Sequence, residues 1–227
     1  MNHERDWAAI RRIDAVDVQW EPSFGPVRPI RFQWTGRVRA FVLEHPQGPI
    51  LIDTGVVEAE ADFRARLAEL PRPPALLLLT HGHWDHAGGV AAVRKAYGCP
   101  VLCHELEVQR VQKETGVAVD QVFRDDTEPV PGLKVIHVPG HTEGNCAFFL
   151  QHERILFSGD VIFGKGSIAG NEPVNLPPEE MSLDWKGACA NLSKLRSLDF
   201  DCCMMSHGEH LPASARAQVL ALIDRLG

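Results

Sequence analysis

The sequence predicts a layered α/β fold, and three observations support this prediction. Short apolar runs bounded by glycine, proline or polar residues recur along the chain, as is typical of buried strands. Segments in which apolar residues recur at helical spacing separate several of these runs. The two kinds of segment alternate, which is the pattern of helices packed on a sheet. Ligands of such folds usually bind at the carboxyl ends of the strands.

The amino-terminal part of the chain is predicted to be rich in strand. Four elements are expected there: a rough strand at 10–20, a proline-rich loop at 22–29, and the two strands of a β-hairpin at 38–44 and 48–53. Three aromatic side chains either line a substrate pocket or pack in the core, and core packing is favoured: Phe24, Phe32 and Trp34.

The central part of the chain alternates between the two kinds of element. Helices are expected at 57–70, 88–97 and 104–113, and strands at 75–79 and 100–103. His104 is either a residue at the rim of a site or a capping and packing histidine, and the second interpretation is favoured. Residues 114–131 are polar and poorly periodic, with a solvated turn expected at 124–126.

The second half of the chain continues in the same way, without an internal repeat at residue level. Strands are expected at 133–138, 145–151, 154–158 and 201–205, and helices at about 178–197 and 212–226.

The composition narrows the classes of function. With 227 residues and 44% hydrophobic content, the chain is expected to form one domain over residues 1–227. A formal net charge of −7 argues against nucleic acid as a partner. Without a long apolar run or an apolar segment behind the charged amino terminus, a cytoplasmic protein that does not span a membrane is expected. The six cysteines lie mostly in apolar runs and are expected to be buried free thiols in a reducing compartment.

The segment Thr-His-Gly-His-Trp-Asp-His at residues 80–86 carries the strongest functional signal. It brings three imidazoles and one carboxylate together directly after an apolar run. Imidazole nitrogen and carboxylate oxygen are ligand types that Zn²⁺, Mn²⁺ and Fe²⁺ share. In a tight loop His81 and His83 can point at one ion, while Asp85 and His86 face a second ion close by. One motif can therefore contribute to two metal sites.

Two ions need more ligands than four, and three further candidates stand at the ends of strand-like runs. His141 follows residues 133–140, Asp160 follows residues 154–159, and His207 follows the run Cys-Cys-Met-Met-Ser. Each is a ligand-type side chain at the end of an apolar segment. We therefore expect the three to join the histidine-rich motif.

The combined pattern resembles that of the metallo-β-lactamase-fold hydrolases, in which His-x-His-x-Asp-His is followed by His, Asp and His at strand ends. The intervals after His86 are 55, 19 and 47 residues. The resemblance covers roughly residues 38–207. It implies a four-layer αββα sandwich, with two mixed sheets packed face to face and helices on the outside.

The resemblance also implies a site for two divalent metal ions. Zinc is expected, and manganese and iron are the alternatives. The implied ligand set has three parts: His81, His83 and His141 for one ion, Asp85, His86 and His207 for the other, and Asp160 as the bridge. Asp53, in an Asp-Thr-Gly turn, matches the family aspartate that supports the metal loop from behind.

Two adjacent divalent ions lower the pKa of a shared water toward neutrality and so provide a hydroxide nucleophile. We therefore expect a dinuclear hydrolase that uses a metal-bridging hydroxide to cleave a small-molecule ester, thioester or lactone. Asp85, a ligand beside that water, is expected to carry the proton to the leaving group.

A glycine-rich segment at 164–171 follows the bridging aspartate. The side chains of a possible substrate loop there are Phe163, Lys165 and Ile168. Lys165 either contacts an anionic group of the substrate or is simply solvated, and the sequence leaves both readings open. The segment does not meet the Walker pattern, which argues against a phosphate loop.

Differences from known subfamilies narrow the range of possible substrates. The motif at 80–86 resembles that of glyoxalase II, a thioesterase acting on hydroxyacyl-glutathione, but the glutathione-binding helical region of that family has no counterpart after His207. Quorum-signal lactonases share the seven ligands and add a tyrosine near the metals, whereas Tyr97 is the only tyrosine here. β-Lactam cleavage is disfavoured, because Asp160 stands where such enzymes have a cysteine ligand.

The sequence is also compatible with two other functions. Persulfide dioxygenases of this fold hold a single iron with a subset of the same ligands, here His81, His141 and Asp160. A metal-binding module without catalysis is the other alternative, although structural zinc sites are usually closed and rich in cysteine. The substrate is expected to be a small molecule, and a homodimer is the prior for the assembly.

Overall fold

Two mixed β-sheets packed face to face form the centre of the fold. The computed structural model describes residues 13–34 and 36–226. The strands of the larger sheet are β1 (Asp17–Trp20), β2 (Val27–Gln33), β3 (Arg37–Leu43), β4 (Ile50–Ile52), β5 (Leu76–Leu78), β6 (Val101–His104) and β7 (Gln121–Phe123). They lie in that order across the sheet. Strands β1 to β4 pair antiparallel, and β4 to β7 pair parallel.

The smaller sheet has four strands. They are β8 (Leu133–His137), β9 (Cys146–Leu150), β10 (Ile155–Phe157) and β13 (Cys202–Met204). Their order across the sheet is β13-β10-β9-β8, with β13 parallel to β10 and the other neighbours antiparallel. A short separate ribbon pairs β11 (Phe163–Gly164) with β12 (Val174–Asn175).

Helices connect the strands and cover the outer faces. They are α1 (Glu60–Ala68), α2 (Trp84–Ala87), α3 (Val90–Tyr97), α4 (Val108–Thr115), α5 (Trp185–Asn191) and α6 (Ala215–Leu226). The glycines that follow α3 and α4 adopt left-handed φ values of 64° and 70°, which is the usual way to end a helix. In the described part of the chain, none of the helices has the length and apolar character needed to cross a membrane.

Because successive side chains of a strand lie on opposite faces of the sheet, the apolar side chains form three cores. In β3, Phe41 and Leu43 lie between the sheets, whereas Val42 packs toward the helices. In β10, Phe157 lies between the sheets and Leu156 packs toward α6 on the other side. Because each sheet buries both faces, helices must cover the two outer ones. The predicted four-layer αββα sandwich is therefore confirmed.

Most of the predicted elements are present, with three corrections. The strand expected at 10–20 is formed only at Asp17–Trp20, and residues 10–12 lie outside the described part of the chain. The loop expected at 22–29 gives way to β2 at Val27, because β1 and β3 pair with its two edges despite Pro29. The helix expected at 178–197 is divided into a 3₁₀ turn (Glu179–Met181), α5 and a second 3₁₀ segment (Leu192–Ser197).

Strand β7 was missed because its sequence is short and polar. It forms the edge of the larger sheet, and only Phe123 of its three residues is buried. Among the aromatic side chains, the prediction of core packing is confirmed for Phe32, which is fully buried against Phe63. The six cysteines are free thiols, and all are buried except Cys189, which is partly exposed.

Replacing Phe157 by alanine tests the core between the sheets. Phe157 has no exposed area and packs edge to face on Phe41, with ring centroids 5.4 Å apart. We expect Phe157→Ala to lower the free energy of unfolding by about 3–5 kcal/mol through lost burial and the cavity left behind. Urea denaturation measures this loss. Val122→Ala at the exposed edge should cost about 0.5 kcal/mol or less, and equal losses would contradict the assignment of this core.

Candidate metal centre

Seven ligand-type side chains converge at one edge of the two sheets. The 81–86 segment follows β5, and residues 141, 160 and 207 follow β8, β10 and β13. The residues predicted from the sequence are therefore brought together in space. They form two groups, each with ligand atoms within 4.8 Å of one another. The first ligand group is His81, His83, His141 and Asp160, and the second ligand group is Asp85, His86 and His207.

The first ligand group is centred on Nδ1 of His83. This nitrogen lies 3.0 Å from Nε2 of His81 and 2.9 Å from Nε2 of His141. Oδ2 of Asp160 lies 3.2 Å from the same His141 nitrogen. The three rings stand nearly perpendicular to one another, and the closely spaced nitrogens define a common centre. A neutral imidazole carries a single N–H, and the rings cannot satisfy all of these lone pairs among themselves.

The second ligand group lies beside the first. Nε2 of His86 is 3.2 Å from Nε2 of His207, which in turn is 3.6 Å from Oδ2 of Asp85. Asp160 contacts this group with its other oxygen, because Oδ1 lies 3.1 Å from the His86 nitrogen and 3.4 Å from the His207 nitrogen. The two oxygens of one carboxylate thus face two different groups, which is the arrangement a bridging ligand needs.

The turn that carries Asp160 depends on the glycine before it. Gly159 has φ +50°, and a Cβ there would lie 2.7 Å from the carbonyl oxygen of Cys146 and 2.8 Å from Cβ of Thr80. No larger residue fits this close approach without a shift of the backbone. The glycine therefore lets the end of β10 come against the neighbouring strand, next to the histidine-rich turn.

Asp53 holds the histidine-rich turn from the other side. It is fully buried, and its two oxygens accept hydrogen bonds of 2.8 Å from the backbone N–H and the hydroxyl of Thr80. Oδ2 also lies 2.8 Å from Nδ1 of His86. Asp53 adopts φ 60°, a conformation that aspartate tolerates better than most residues. Asp53 thus orients a ligand-type imidazole, the supporting arrangement predicted for it.

The loop that carries His207 is attached to β3. Nδ1 of His207 lies 2.7 Å from the carbonyl oxygen of Arg37. Two residues further along β3, the buried guanidinium of Arg39 donates hydrogen bonds to the carbonyl oxygens of Met205 and Gly208, on either side of His207. The side chain of Arg39 lies on the face of β3 that points between the sheets, and it anchors the loop from below.

Burial favours the neutral form of two rings in the first ligand group, His81 and His83. It lowers the pKa of His81 and of His83 well below the ordinary value, and the neighbouring imidazoles lower both further. Each ring therefore keeps a lone pair near pH 7. Nδ1 of His81 also lies 3.1 Å from the Thr80 hydroxyl, which leaves its Nε2 directed at the common centre.

Carboxylates set the protonation of the second ligand group. Burial acts to lower the pKa of His86 and of His207, but Asp160 and Asp85 outweigh it and raise both. Burial likewise acts to raise the pKa of Asp160, and these two imidazoles hold it well below the usual range. A divalent cation competes with protons for such ligands, so its affinity rises with pH.

The donor set fits divalent metal ions. A tetrahedral ion with bonds of about 2.1 Å spaces its ligands about 3.4 Å apart, close to the separations in both groups. Oδ1 of Asp160 and Nδ1 of His141 are buried, and within the described residues neither has a hydrogen-bond partner. The neighbours of this Asp160 oxygen are the His86 and His207 nitrogens, and a cation bound among them would take the place of the protons that those rings otherwise carry.

The possible substrate loop has a mixed outcome. Phe163 is fully buried, and its ring lies against His207 with centroids 4.6 Å apart, so it forms a wall of the site and is not part of an exposed loop. Lys165 and Ile168 are exposed, with 67% of Ile168 accessible to solvent. His104 is buried and accepts a hydrogen bond from the backbone N–H of Leu106, which confirms the capping interpretation.

Two supporting residues escaped prediction from the sequence. Glu107 is a buried carboxylate that accepts hydrogen bonds from the backbone of both Gly82 and Gly144. No local pattern distinguishes it from Glu105 two residues earlier, because its partners are distant in sequence. Arg39 did have a signal, since a charged residue interrupts the apolar strand β3 and so must find a buried partner.

A family model described as the metallo-beta-lactamase superfamily matches residues 34–207 of this chain. The match spans more than half of the chain, and it contains all seven members of the two ligand groups.

Two curated relatives match part of the chain. The hydroxyacylglutathione hydrolase of Bdellovibrio bacteriovorus is 40% identical over 124 residues, which cover 53% of this chain and 46% of that protein. The atrochrysone carboxyl ACP thioesterase of Claviceps purpurea is 31% identical over 144 residues, which cover 62% of this chain and 44% of that protein. The chain thus matches about half the length of these relatives.

Among solved structures, the protein TTHA1623 in a di-iron-bound form is similar, with a TM-score of 0.64 and 26% sequence identity. The similarity covers 80% of this chain and 92% of that one.

The Glu21–Arg39 pair below the His207 loop predicts a dependence of stability on pH. Burial acts to raise the pKa of Glu21, but hydrogen bonds to His210 and Arg39 outweigh it and hold the pKa at about 2, against an ordinary value of 4.5. The carboxylate therefore contributes full stability above about pH 4.5, and this contribution is lost as the pH falls toward 2. Glu21→Gln should remove that dependence. The difference in free energy of unfolding between the wild type and Glu21→Gln should therefore shrink by about 1–3 kcal/mol as the pH falls toward 2.

Urea denaturation of metal-free protein between pH 2 and pH 6 measures this difference. Glu44→Gln, at an exposed position, is the matched control and should leave the dependence unchanged. A constant difference between wild type and Glu21→Gln over the window would contradict the prediction.

Proposed function

Because the chain belongs to the metallo-beta-lactamase superfamily, we propose that it is a metal-dependent hydrolase that cleaves the thioester bond of a small acyl thioester. The observation that carries this proposal is the convergence of two ligand groups on the two oxygens of Asp160. Such a pair of adjacent sites suits hydrolysis, because one nucleophile and one leaving group must be stabilised together.

In this proposal the residues of the two groups hold one divalent cation each, with Asp160 between them. The bound cations would lower the pKa of a shared water toward neutrality and polarise the carbonyl under attack. The imidazoles of His81 and His83, whose pKa values burial lowers, offer lone pairs without first losing a proton. Asp53 keeps His86 aligned through Nδ1, so that its Nε2 stays directed at the site.

Asp85 has the position for proton transfer. About 16% of its side chain is exposed, whereas Asp160 is 5% exposed and lies deeper in the site. A carboxylate at the mouth can take a proton from the attacking water and deliver it to the departing group. A thiol leaves readily as its anion because its pKa is near 8.5, so this delivery is less demanding for a thioester than for an ester.

The names of the relatives support a thioester as the bond cleaved. A hydroxyacylglutathione hydrolase and an acyl carrier protein thioesterase both act on acyl groups joined to a thiol. Because the matches cover only about half of each relative, the identity of the thiol carrier is part of the proposal. Esters and lactones would be attacked by the same nucleophile.

The helper tyrosine of quorum-signal lactonases has no equivalent beside the two ligand groups. Tyr97, the single tyrosine of the chain, lies at the end of α3, and its hydroxyl donates a hydrogen bond of 3.4 Å to the carbonyl oxygen of Arg64. Arg64 belongs to α1 on the outer face of the larger sheet, away from the ligand groups. We therefore favour thioester over lactone cleavage.

Metal content separates the hydrolase from the single-iron dioxygenase. The dioxygenase needs only a subset of the first ligand group, whereas the second ligand group is also assembled here. The similarity to a di-iron-bound structure also supports two ions. We expect about two zinc, manganese or iron ions per chain in protein purified without added metal, measured by elemental analysis. One iron per chain together with oxygen consumption on a persulfide would contradict the hydrolase.

Replacing Asp85 by asparagine tests the proposed activity. With a hydroxyacyl-glutathione thioester as substrate, a thiol-reactive dye reports release of the thiol. We expect Asp85→Asn to lower kcat by about 100-fold or more, because both a ligand charge and a proton carrier are lost. Chelation should abolish wild-type turnover, and added zinc or manganese should restore it.

Asp199→Asn, at an exposed position remote from the site, is the matched control and should keep full activity. Circular dichroism checks that both variants fold. If the wild type hydrolyses no thioester, ester or lactone with any of the three metals, the proposed function is wrong and a binding module without catalysis is favoured. If Asp85→Asn keeps wild-type turnover, the proton-carrier role of Asp85 is wrong.

A further inference from the structure

Glu107 lies between two loops that carry the first ligand group. It ends the 3₁₀ turn Glu105–Glu107 before α4, and its side chain has no exposed area. One carboxylate oxygen accepts a hydrogen bond of 2.9 Å from the backbone N–H of Gly82, and the other accepts one of 2.8 Å from the backbone N–H of Gly144. Both oxygens of a buried carboxylate are therefore used on backbone amides.

The two amides belong to the two loops that carry the histidines of the first ligand group. Gly82 stands between His81 and His83, and Gly144 stands three residues after His141. The carboxylate thus joins the loop after β5 to the loop after β8. Glycine allows the close approach at position 144, since a Cβ there would lie 2.7 Å from Cγ of Glu107.

The first ligand group depends on this join because one of its rings has no orienting partner of its own. In the second ligand group, His86 is aligned by Asp53 and His207 by the carbonyl oxygen of Arg37. Nδ1 of His141, by contrast, is buried without a hydrogen-bond partner in the described part of the chain. The direction of the His141 ring then depends on the backbone of its loop. The N–H of Leu183 binds the carbonyl oxygen of His141, and Glu107 holds the same loop at Gly144.

A second role for Glu107 is charge pairing with Arg110, whose Nε lies 3.3 Å from it. Arg110 also contacts the exposed Glu143, and about 31% of its side chain is accessible to solvent. The bonds to the two glycine amides are shorter and fully buried, so they dominate the contribution of the carboxylate. Because Glu107 also pairs with Arg110, a test of its role needs a control for the loss of that pairing.

We propose that Glu107 is a positioning residue that sets the spacing between His83 and His141 and thereby the affinity of the first ligand group for a divalent cation. The proposal rests on the metal binding assumed in the proposed function. Partners outside the ligand shell typically change metal affinity by about 10–100-fold when they are removed. We expect the effect to fall on the first ligand group, because Glu107 binds the backbone between His81 and His83. Asp85 and His86 lie further along the same segment, in α2, where Asp53 orients His86.

Amide hydrogen exchange in metal-free protein tests the join itself. In Glu107→Gln the amide side chain offers one acceptor oxygen in place of two, so Gly82 and Gly144 can no longer both be bound. We expect the backbone N–H of at least one of these glycines to exchange at least about tenfold faster than in the wild type. The N–H of Thr80, bound by Asp53, should be unchanged. Wild-type exchange at both glycines would overturn the proposal.

Titration with cobalt(II), followed by its visible absorption, tests the effect on the metal centre. We expect the wild type to bind two ions, and Glu107→Gln to bind one of them about 10–100-fold more weakly with the other unchanged. Glu107→Asp keeps the charge beside Arg110 but is shorter by one methylene, so it should show the same selective loss. Glu143→Gln removes only the other partner of Arg110 and should bind as the wild type does.

The outcomes separate the two proposals. Two ions bound equally well by the wild type, Glu107→Gln and Glu107→Asp would overturn the positioning role and leave the proposed function intact. A wild type that binds no cobalt would overturn the proposed function, and the affinity part of this inference with it, while the exchange measurement still decides whether Glu107 joins the loops. Equal weakening in Glu143→Gln would assign the effect to Arg110 and overturn the proposal as well.

Discussion

Holding several nitrogen and oxygen lone pairs at one buried point is the constraint on which this arrangement depends. Five imidazoles and two carboxylates meet within a few ångströms, and most of their surface is removed from water. Such groups repel one another or remain unsatisfied unless protons or cations lie between them. The attraction between Asp160 and two of the imidazoles opposes only part of this cost. The surrounding fold must hold the cluster, and the two packed sheets provide the rigid edge that does so.

Three charged side chains fix the loops of the two ligand groups to this edge of the sheets. Asp53 binds the turn after β5, Glu107 joins this turn to the loop after β8, and Arg39 holds the loop after β13. Each of the three binds backbone groups on a ligand loop, and none of them belongs to either ligand group. Because each is itself buried, its charge is satisfied only if the loop it binds is in place. The fold of the loops and the burial of these charges are therefore mutually dependent.

The members of the two ligand groups could be predicted from the sequence, whereas the residues that support them mostly could not, and the reason is physical. His83 or Asp160 is recognisable because its residue type has a chemical preference for metals and its position follows an apolar strand. Glu107 has the same residue type as its exposed neighbours, and only contacts 25 and 37 residues away give it a role. Strand β7 was missed for a related reason, since pairing with β6 creates it from a polar sequence. Layering followed from periodicity, whereas the order of the four layers required the family resemblance.

The burial of the ligands also defines the direction from which a reactant can arrive. His81 and His86 have no exposed area, whereas His83 is partly exposed and about 16% of the Asp85 side chain and 12% of the His207 side chain are accessible to solvent. The open side of the site is thus the side of His83, Asp85 and His207. A carboxylate that exchanges protons with water must stand at that side, and Asp85 does, whereas Asp160 lies deeper and is surrounded by imidazoles. The fold therefore separates the two carboxylates by depth, and of the two it is Asp85 that stands where the proton transfer proposed for it would be open to water.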